Sequence, residues 1–191
     1  MYKAPREQKA KDLVFPAEKI FDKMATSGFT KDSVNLALNG GNDQGVQVTG
    51  LLKIAKDYSG TGTANRAEFM IGACYLHLKD FDKAIKYLKE FDGNGADQVQ
   101  SKAYKMIGHA YAEQNKKEDA LSYYKKAADV NTKDEAVTPD ALMTAGMYAE
   151  MIGKPKDAIE MYKKIKENYP LSQLAKSGEV DKYLARLGTT N

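Results

Sequence analysis

Cys74 and His77 stand three residues apart, a spacing that sets a thiol and an imidazole on one face of a helix, where they could share a metal ion. A structural zinc site takes about four ligands, however, and no complementary set accompanies them. The one other histidine of the sequence is His109, and no disulfide can form within a chain whose single cysteine is Cys74. Gly60-Thr61-Gly62 has the look of a phosphate-binding loop, but it lacks a third glycine, a preceding apolar strand and a following Gly-Lys-Ser/Thr, so it reads as a linker at a helix start. Carboxylates such as those in Lys117-Glu118-Asp119 suit a helix N-terminus, where they complement the dipole. No HExxH, CxxC or GxSxG motif occurs. The sequence therefore nominates no catalytic residue, cofactor-binding residue or metal ligand, and the expectation is a protein without enzymatic activity.

The elements that carry these residues follow from composition and periodicity. With 191 residues, 42% of them hydrophobic, the chain can build a sizeable core. Its 29 Lys and Arg are interleaved with 26 Asp and Glu for a net charge of +3, which argues against a nucleic-acid-binding face. Pairs such as Lys125-Lys126 and Lys163-Lys164 read as solvated helix surface. No run approaches the roughly 18 apolar residues that span a bilayer, and residues 1–11 lack the apolar region of a signal peptide, so a soluble chain is expected.

Three related blocks centre on Gly72, Gly108 and Gly146, spaced by 36 and 38 residues. Each glycine is followed twelve residues later by an alanine: Ala84, Ala120 and Ala158. A glycine inside a helix costs about 1 kcal/mol relative to alanine, so its return at one mid-helix position implies a neighbouring helix that needs the space. Bulky residues recur beside the small ones. Tyr75 and Tyr111 lie three beyond their glycines, and Leu88, Tyr124 and Tyr162 lie four beyond the alanines, the offsets of an amphipathic helix.

In these positions the sequence resembles the tetratricopeptide repeat family, whose unit of about 34 residues carries a large residue, Leu-Gly, Tyr, Ala, an aromatic, Ala and Pro in fixed order. The second block matches best, with Tyr104, Ile107-Gly108, Tyr111, Ala120, Tyr124 and Ala127. The third has Pro170 as the closing proline and Pro155 at a second-helix start, but Ala149 in place of the tyrosine. The first departs with Glu68 at the leading aromatic position and Phe91 where a small residue is usual. The resemblance implies an all-α fold: an antiparallel helix-pair solenoid forming a right-handed superhelix, with a C-terminal capping helix. As a single domain it would divide into an N-terminal helix, insertion and degenerate repeat (1–62), repeats at 63–97, 98–135 and 136–171, and the cap (172–191).

Upstream of the blocks, residues 5–25 read as a helix that Pro16 should kink or restart. Leu51, Leu52, Ile54, Ala55 and Tyr58 fit the second helix of a degenerate repeat. Between them Val34, Leu36 and Leu38 alternate before Asn39-Gly40-Gly41, leaving a choice between an extended insertion and a distorted helical turn, with the extended form preferred. Downstream, residues 172–187 read as one helix with Ser172 as N-cap and Leu174, Val180, Tyr183, Leu184 and Leu187 as its apolar face. A cap of this kind covers the apolar end of a repeat stack.

The layout as a whole, from YKAPREQKAKDL through the Leu-Ala-Leu-Asn-Gly insertion to DKYLARL, resembles a narrower group. These are bacterial membrane-anchored tetratricopeptide proteins related to the ancillary subunit of the Sec translocon. That resemblance implies the periplasmic face of the inner membrane, with an N-terminal anchor absent from this chain; the alternative is a cytoplasmic protein.

The repeat family lines a concave groove with the first helices of its units. Carried over by position, the groove residues are Arg66, Phe69, Ala73 and Leu76; Lys102, Lys105, His109 and Ala112; Asp140, Met143, Met147 and Glu150. Phe69, Leu76, Met143 and Met147 could take apolar side chains, and Arg66, Lys102 and Lys105 acidic ones. Chaperone-binding members hold a C-terminal carboxylate through a set of lysines, asparagines and an arginine. Those positions here read Phe69, Ala73, Met106, Asp140 and Thr144, so that clamp is absent. The resulting expectation is a scaffold or adaptor that binds a protein or peptide with modest affinity, in envelope protein export or assembly. A second reading is a structural module that associates with copies of itself.

Overall fold

A computed structural model of the chain describes residues 3–189, with side chains from residue 5. Its helices gather into two compact units, the first ending at Asp92 and the second beginning at Gly93. Among the described residues there are eleven helices and one two-stranded sheet, so the chain is all-α as expected.

The first unit opens with α1 (Lys3–Ser27). Ala10, Val14, Ala17, Ile20 and Met24 are buried along it, a stripe at offsets of three and four. Pro16 does not restart the helix. The flanking Val14 and Ala17 are fully buried, and their packing carries α1 through the proline as one element.

The expected extended insertion is instead a helix, α2 (Lys31–Asn39), followed by a hairpin of β1 (Gly40–Asp43) and β2 (Val46–Thr49). Thr30 caps α2, its hydroxyl accepting the Ser33 amide at 3.2 Å. Val34, Ala37 and Leu38 are the buried set, whereas Leu36 is only half-buried; the apparent alternation concealed a helical period. Gly40 pairs with Thr49 and Asp43 with Val46 across the antiparallel strands. The base of this hairpin admits no side chain. A Cβ on Gly40 would meet the Val48 carbonyl oxygen at 2.5 Å, and one on Gly50 would meet the Asn39 backbone at 2.4 Å.

α3 (Leu51–Asp57) buries Leu51, Ile54 and Ala55 beside α1 and α4 (Gly62–His77), and α5 (Phe81–Glu90) completes the unit. Thr61 caps α4, accepting the Ala64 amide at 3.1 Å, which makes Gly60-Thr61-Gly62 the helix-start linker its sequence implied.

The second unit contains α6 (Asp97–Glu113), α7 (Lys117–Asp129), α8 (Val137–Met151), α9 (Pro155–Asn168), α10 (Gln173–Lys176) and α11 (Glu179–Arg186). Pro155 starts α9 at its first turn, where a missing amide costs nothing. The cap is two helices rather than one. Ser172 caps α10 as expected, accepting the Ala175 amide at 3.3 Å, but Gly178 adopts a left-handed conformation at φ 71° and breaks the segment before α11. Val180 and Leu184 are buried against the unit's core.

The helix pairs α4/α5, α6/α7 and α8/α9 are built alike. Adding a Cβ to Gly72 would bring it within 2.5 Å of Leu88, to Gly108 within 2.8 Å of Tyr124, and to Gly146 within 2.5 Å of Tyr162. The small residue is thus required by the large one four beyond the alanine. Each first helix also ends on a residue with positive φ: Lys79 (60°), Asn115 (58°) and Gly153 (78°). One residue later an amide reaches back to the helix, Asp80 to the Tyr75 carbonyl at 3.0 Å, Lys116 to Tyr111 at 2.9 Å and Lys154 to Ala149 at 2.8 Å. These six-to-one bonds reverse the chain and set the second helix antiparallel to the first.

Candidate functional site: an open groove in the second unit

Of the twelve residues assigned to a groove, four converge. Lys102, Lys105 and His109 on α6 and Asp140 on α8 line an open cavity of about 760 Å³. Val99, Met106 and Val137 add apolar wall, and Thr144 stands a turn beyond Asp140. The glycine rhythm explains this placement: α6 and α8 are first helices of successive pairs, each held to its own second helix by the Gly108–Tyr124 or Gly146–Tyr162 contact.

The electrostatics of the cavity are uneven. Lys105 Nζ donates to Asp140 Oδ2 at 2.6 Å, tying α6 to α8. Lys102 is exposed and has no ion pair among the described residues. His109 shares a 2.9 Å hydrogen bond between its Nδ1 and the Tyr124 hydroxyl. Burial, aided by the Lys105 charge, holds the imidazole below its ordinary pKa, so it is neutral near pH 7. Burial pushes the Tyr124 phenol upward, which keeps it protonated. The cavity thus offers one free cation, one paired cation and a neutral polar ring beside an apolar wall.

The remaining candidates lie elsewhere. Met143 is buried in the core of the second unit, and Ala112 packs at its margin. Met147 is exposed but does not line the cavity. Glu150 is committed within the unit: Arg186 Nη2 donates to both its carboxylate oxygens at 2.9 Å, and the Tyr162 hydroxyl donates to Oε1 at 2.6 Å. It fastens α11 rather than facing a guest.

In the first unit, Arg66 Nη2 donates to Glu18 Oε1 of α1 at 3.2 Å. The Phe69 ring lies 5.3 Å from that of Phe91, Ala73 is buried and Leu76 is half-buried. Cys74 is fully buried, and burial raises its thiol to about 12. His77 stacks on Phe29 with ring centroids 3.6 Å apart, its pKa lowered by burial. No group of three or more His, Cys, Asp and Glu among the described residues is arranged to hold a metal ion.

Sequence reasoning passed over Val99 and Val137 as cavity residues. Val99 stands one turn before Lys102 on α6, so extending the position pattern backward by three residues would have found it.

Residues 66–92 and residues 105–172 each match a family model described as Tetratricopeptide repeat. These segments are tetratricopeptide repeats. A TPR repeat-containing protein of Methanocaldococcus jannaschii is 28% identical over 97 residues, which are 49% of this chain and 30% of the relative, so the chain spans under a third of that relative's length. Two crystal structures of MamA share the fold at 21% identity. One has a TM-score of 0.53 over 88% of this chain and 92% of that one; the other has 0.55 over 93% and 91%. The repeat family is generally non-enzymatic and supports a protein–protein interaction scaffold. Among the described residues no helix is long and apolar enough to cross a membrane.

Proposed function

We propose that this protein is a scaffold that grips a peptide or protein segment in the groove between α6 and α8. The observation that carries the reading is the convergence of Lys102, Lys105, His109 and Asp140 on one open cavity with an apolar wall. Mixed walls of this kind suit an extended segment that alternates polar and apolar side chains, and the cost of ordering such a ligand keeps affinity modest. Titration of the isotope-labelled protein with candidate segments tests it. Amide shifts should concentrate at residues 98–109 and 136–144, and substitution of Lys102 and Lys105 by alanine should weaken them; shifts that fall outside these residues would move the site elsewhere.

A role in envelope protein export, at the periplasmic face of a bacterial inner membrane, rests on the resemblance of the layout as a whole to the anchored repeat proteins. Fractionation of cells that carry the gene tests it, and a cytoplasmic product removes it.

Self-association is the second reading. It draws on Met147 and Met151, 47% and 73% exposed and one turn apart on α8. Light scattering across a concentration series separates the two, since a strict monomer at high concentration eliminates the self-associating module.

A further inference from the structure

The partners in the Lys105–Asp140 bridge are held unequally. The Lys105 side chain is 25% exposed, set in the α6 wall, whereas that of Asp140 is 64% exposed at the first turn of α8. Both groups line the cavity, and the carboxylate is the more exposed of the two. One turn away Lys102 is exposed and unpaired among the described residues, so the groove holds one cation more than its own carboxylate can satisfy. The neighbouring His109 is neutral and offers a further polar contact. Val99, Met106 and Val137 form an apolar wall beside these cations.

We infer that the groove takes a peptide bearing an acidic side chain next to an apolar one, and that Asp140 is an internal competitor which the ligand's carboxylate displaces from Lys105. The inference rests on the α6–α8 groove being the binding site. In the empty protein Asp140 satisfies Lys105, a group whose stem is partly removed from water and whose charge needs a partner. An incoming Asp or Glu carboxylate replaces it and also reaches Lys102, converting one ion pair into two. Asp140 loses little on release because its exposed oxygens return to water. The apolar neighbour on the peptide covers Val99, Met106 and Val137 and supplies the direction-independent part of the affinity. The exchange also gives selectivity: a neutral peptide must leave the Lys105–Asp140 bridge in place, and a basic one meets Lys102 head-on.

The test uses the full chain and linear peptides selected from a displayed random library, resynthesised in acidic form and with each Asp or Glu replaced by its amide. The selected peptides should be rich in acidic residues beside apolar ones, and the amide versions should bind about tenfold more weakly, as for a hydrogen bond to a charged group. Asp140→Asn should tighten the acidic peptides by about two- to fivefold, the range of an exposed ion pair, and leave the amide versions unchanged. Lys105→Met should remove the preference for acid over amide, with an amide spectrum that shows the fold intact. Raising the salt from 50 to 500 mM should erode the preference in the unaltered protein. Peptides that shift the α6 and α8 amides yet bind equally as acid and amide would overturn the inference while leaving the groove as the site. An Asp140→Asn variant that binds acidic peptides more weakly does the same. Selected peptides that shift no groove amide overturn both.

Discussion

The first-helix faces of α4 and α6 derive from the same repeat, yet one is spoken for and the other is open. On α4 the residues of the groove positions are engaged inside the first unit: Arg66 with Glu18, Phe69 with Phe91, and Ala73 buried. On α6 the corresponding Lys102, Lys105 and His109 line a cavity, and the bond that Lys105 makes across it goes to an exposed carboxylate. Repeat position sets where a side chain points. What the rest of the unit places opposite it decides whether the face is available.

The core contact shared by both units is the one whose loss should cost most. Tyr162 is fully buried over Gly146, and Leu88 is fully buried over Gly72. Tyr162→Ala should destabilise the second unit by about 3–5 kcal/mol, and Leu88→Ala the first by about 2–5 kcal/mol. Hydrogen exchange read helix by helix checks this. Loss of protection confined to the unit that carries the substitution supports two separate cores, and uniform loss contradicts them.

Filling the gap from the other side should cost less. Gly108→Ala gains about 1 kcal/mol of helix propensity but sets a Cβ within 2.8 Å of the Tyr124 ring, an overpacking of about 1–3 kcal/mol. The net effect expected in denaturant titration is a modest destabilisation. Because Tyr124 bonds to His109, the change should also perturb the groove, which the matching Gly72→Ala in the first unit should leave untouched.

Removing the Glu150 charge should act locally. Glu150→Gln loses the two-oxygen grip on Arg186 and should speed exchange of the α11 amides while leaving those of α6 unchanged. A matching loss in α6 would return Glu150 to the groove.

Acidification should produce the smallest effects, with opposite signs at two sites. In the first unit burial, with the Glu90 charge adding to it, raises the Glu68 carboxyl to about 7. Folding therefore favours its protonated form, and its contribution to stability grows as pH falls from above 7 toward the unfolded value near 4.5 and is lost on the way back up. His109 in the second unit is depressed by burial, so folding favours its neutral form and its contribution is lost as pH falls below about 6.5. Glu68→Gln should remove a gain in stability between about pH 7 and 4.5, and His109→Gln a loss below about pH 6.5; both variants shifting the pH dependence of unfolding in the same direction would refute the assignment.

The glycine–alanine rhythm was legible because it is local: the residues that must nest lie sixteen apart or fewer and recur three times. Pro155 was legible as a helix start and Ser172 as an N-cap for the same reason. The turn residues Lys79, Asn115 and Gly153 recur at the same interval but share no side-chain chemistry, since left-handed backbone is accepted there by lysine as well as by glycine. The α2 helix was hidden by a three-residue coincidence of apolar alternation, and Gly178 within the cap was too weak a signal to divide it. The difference between the two faces depended on contacts across long separations, from Glu18 to Arg66 on α4 and from Lys105 to Asp140 on α6, which no periodicity reveals.

Deuterium uptake by the full chain, measured with and without a saturating groove-binding peptide, bears most directly on the contrast between the two faces. New protection should appear in residues 98–109 of α6 and 137–144 of α8, with α4 unchanged. Protection that appears along residues 66–76 of α4 and spares α6 would contradict it.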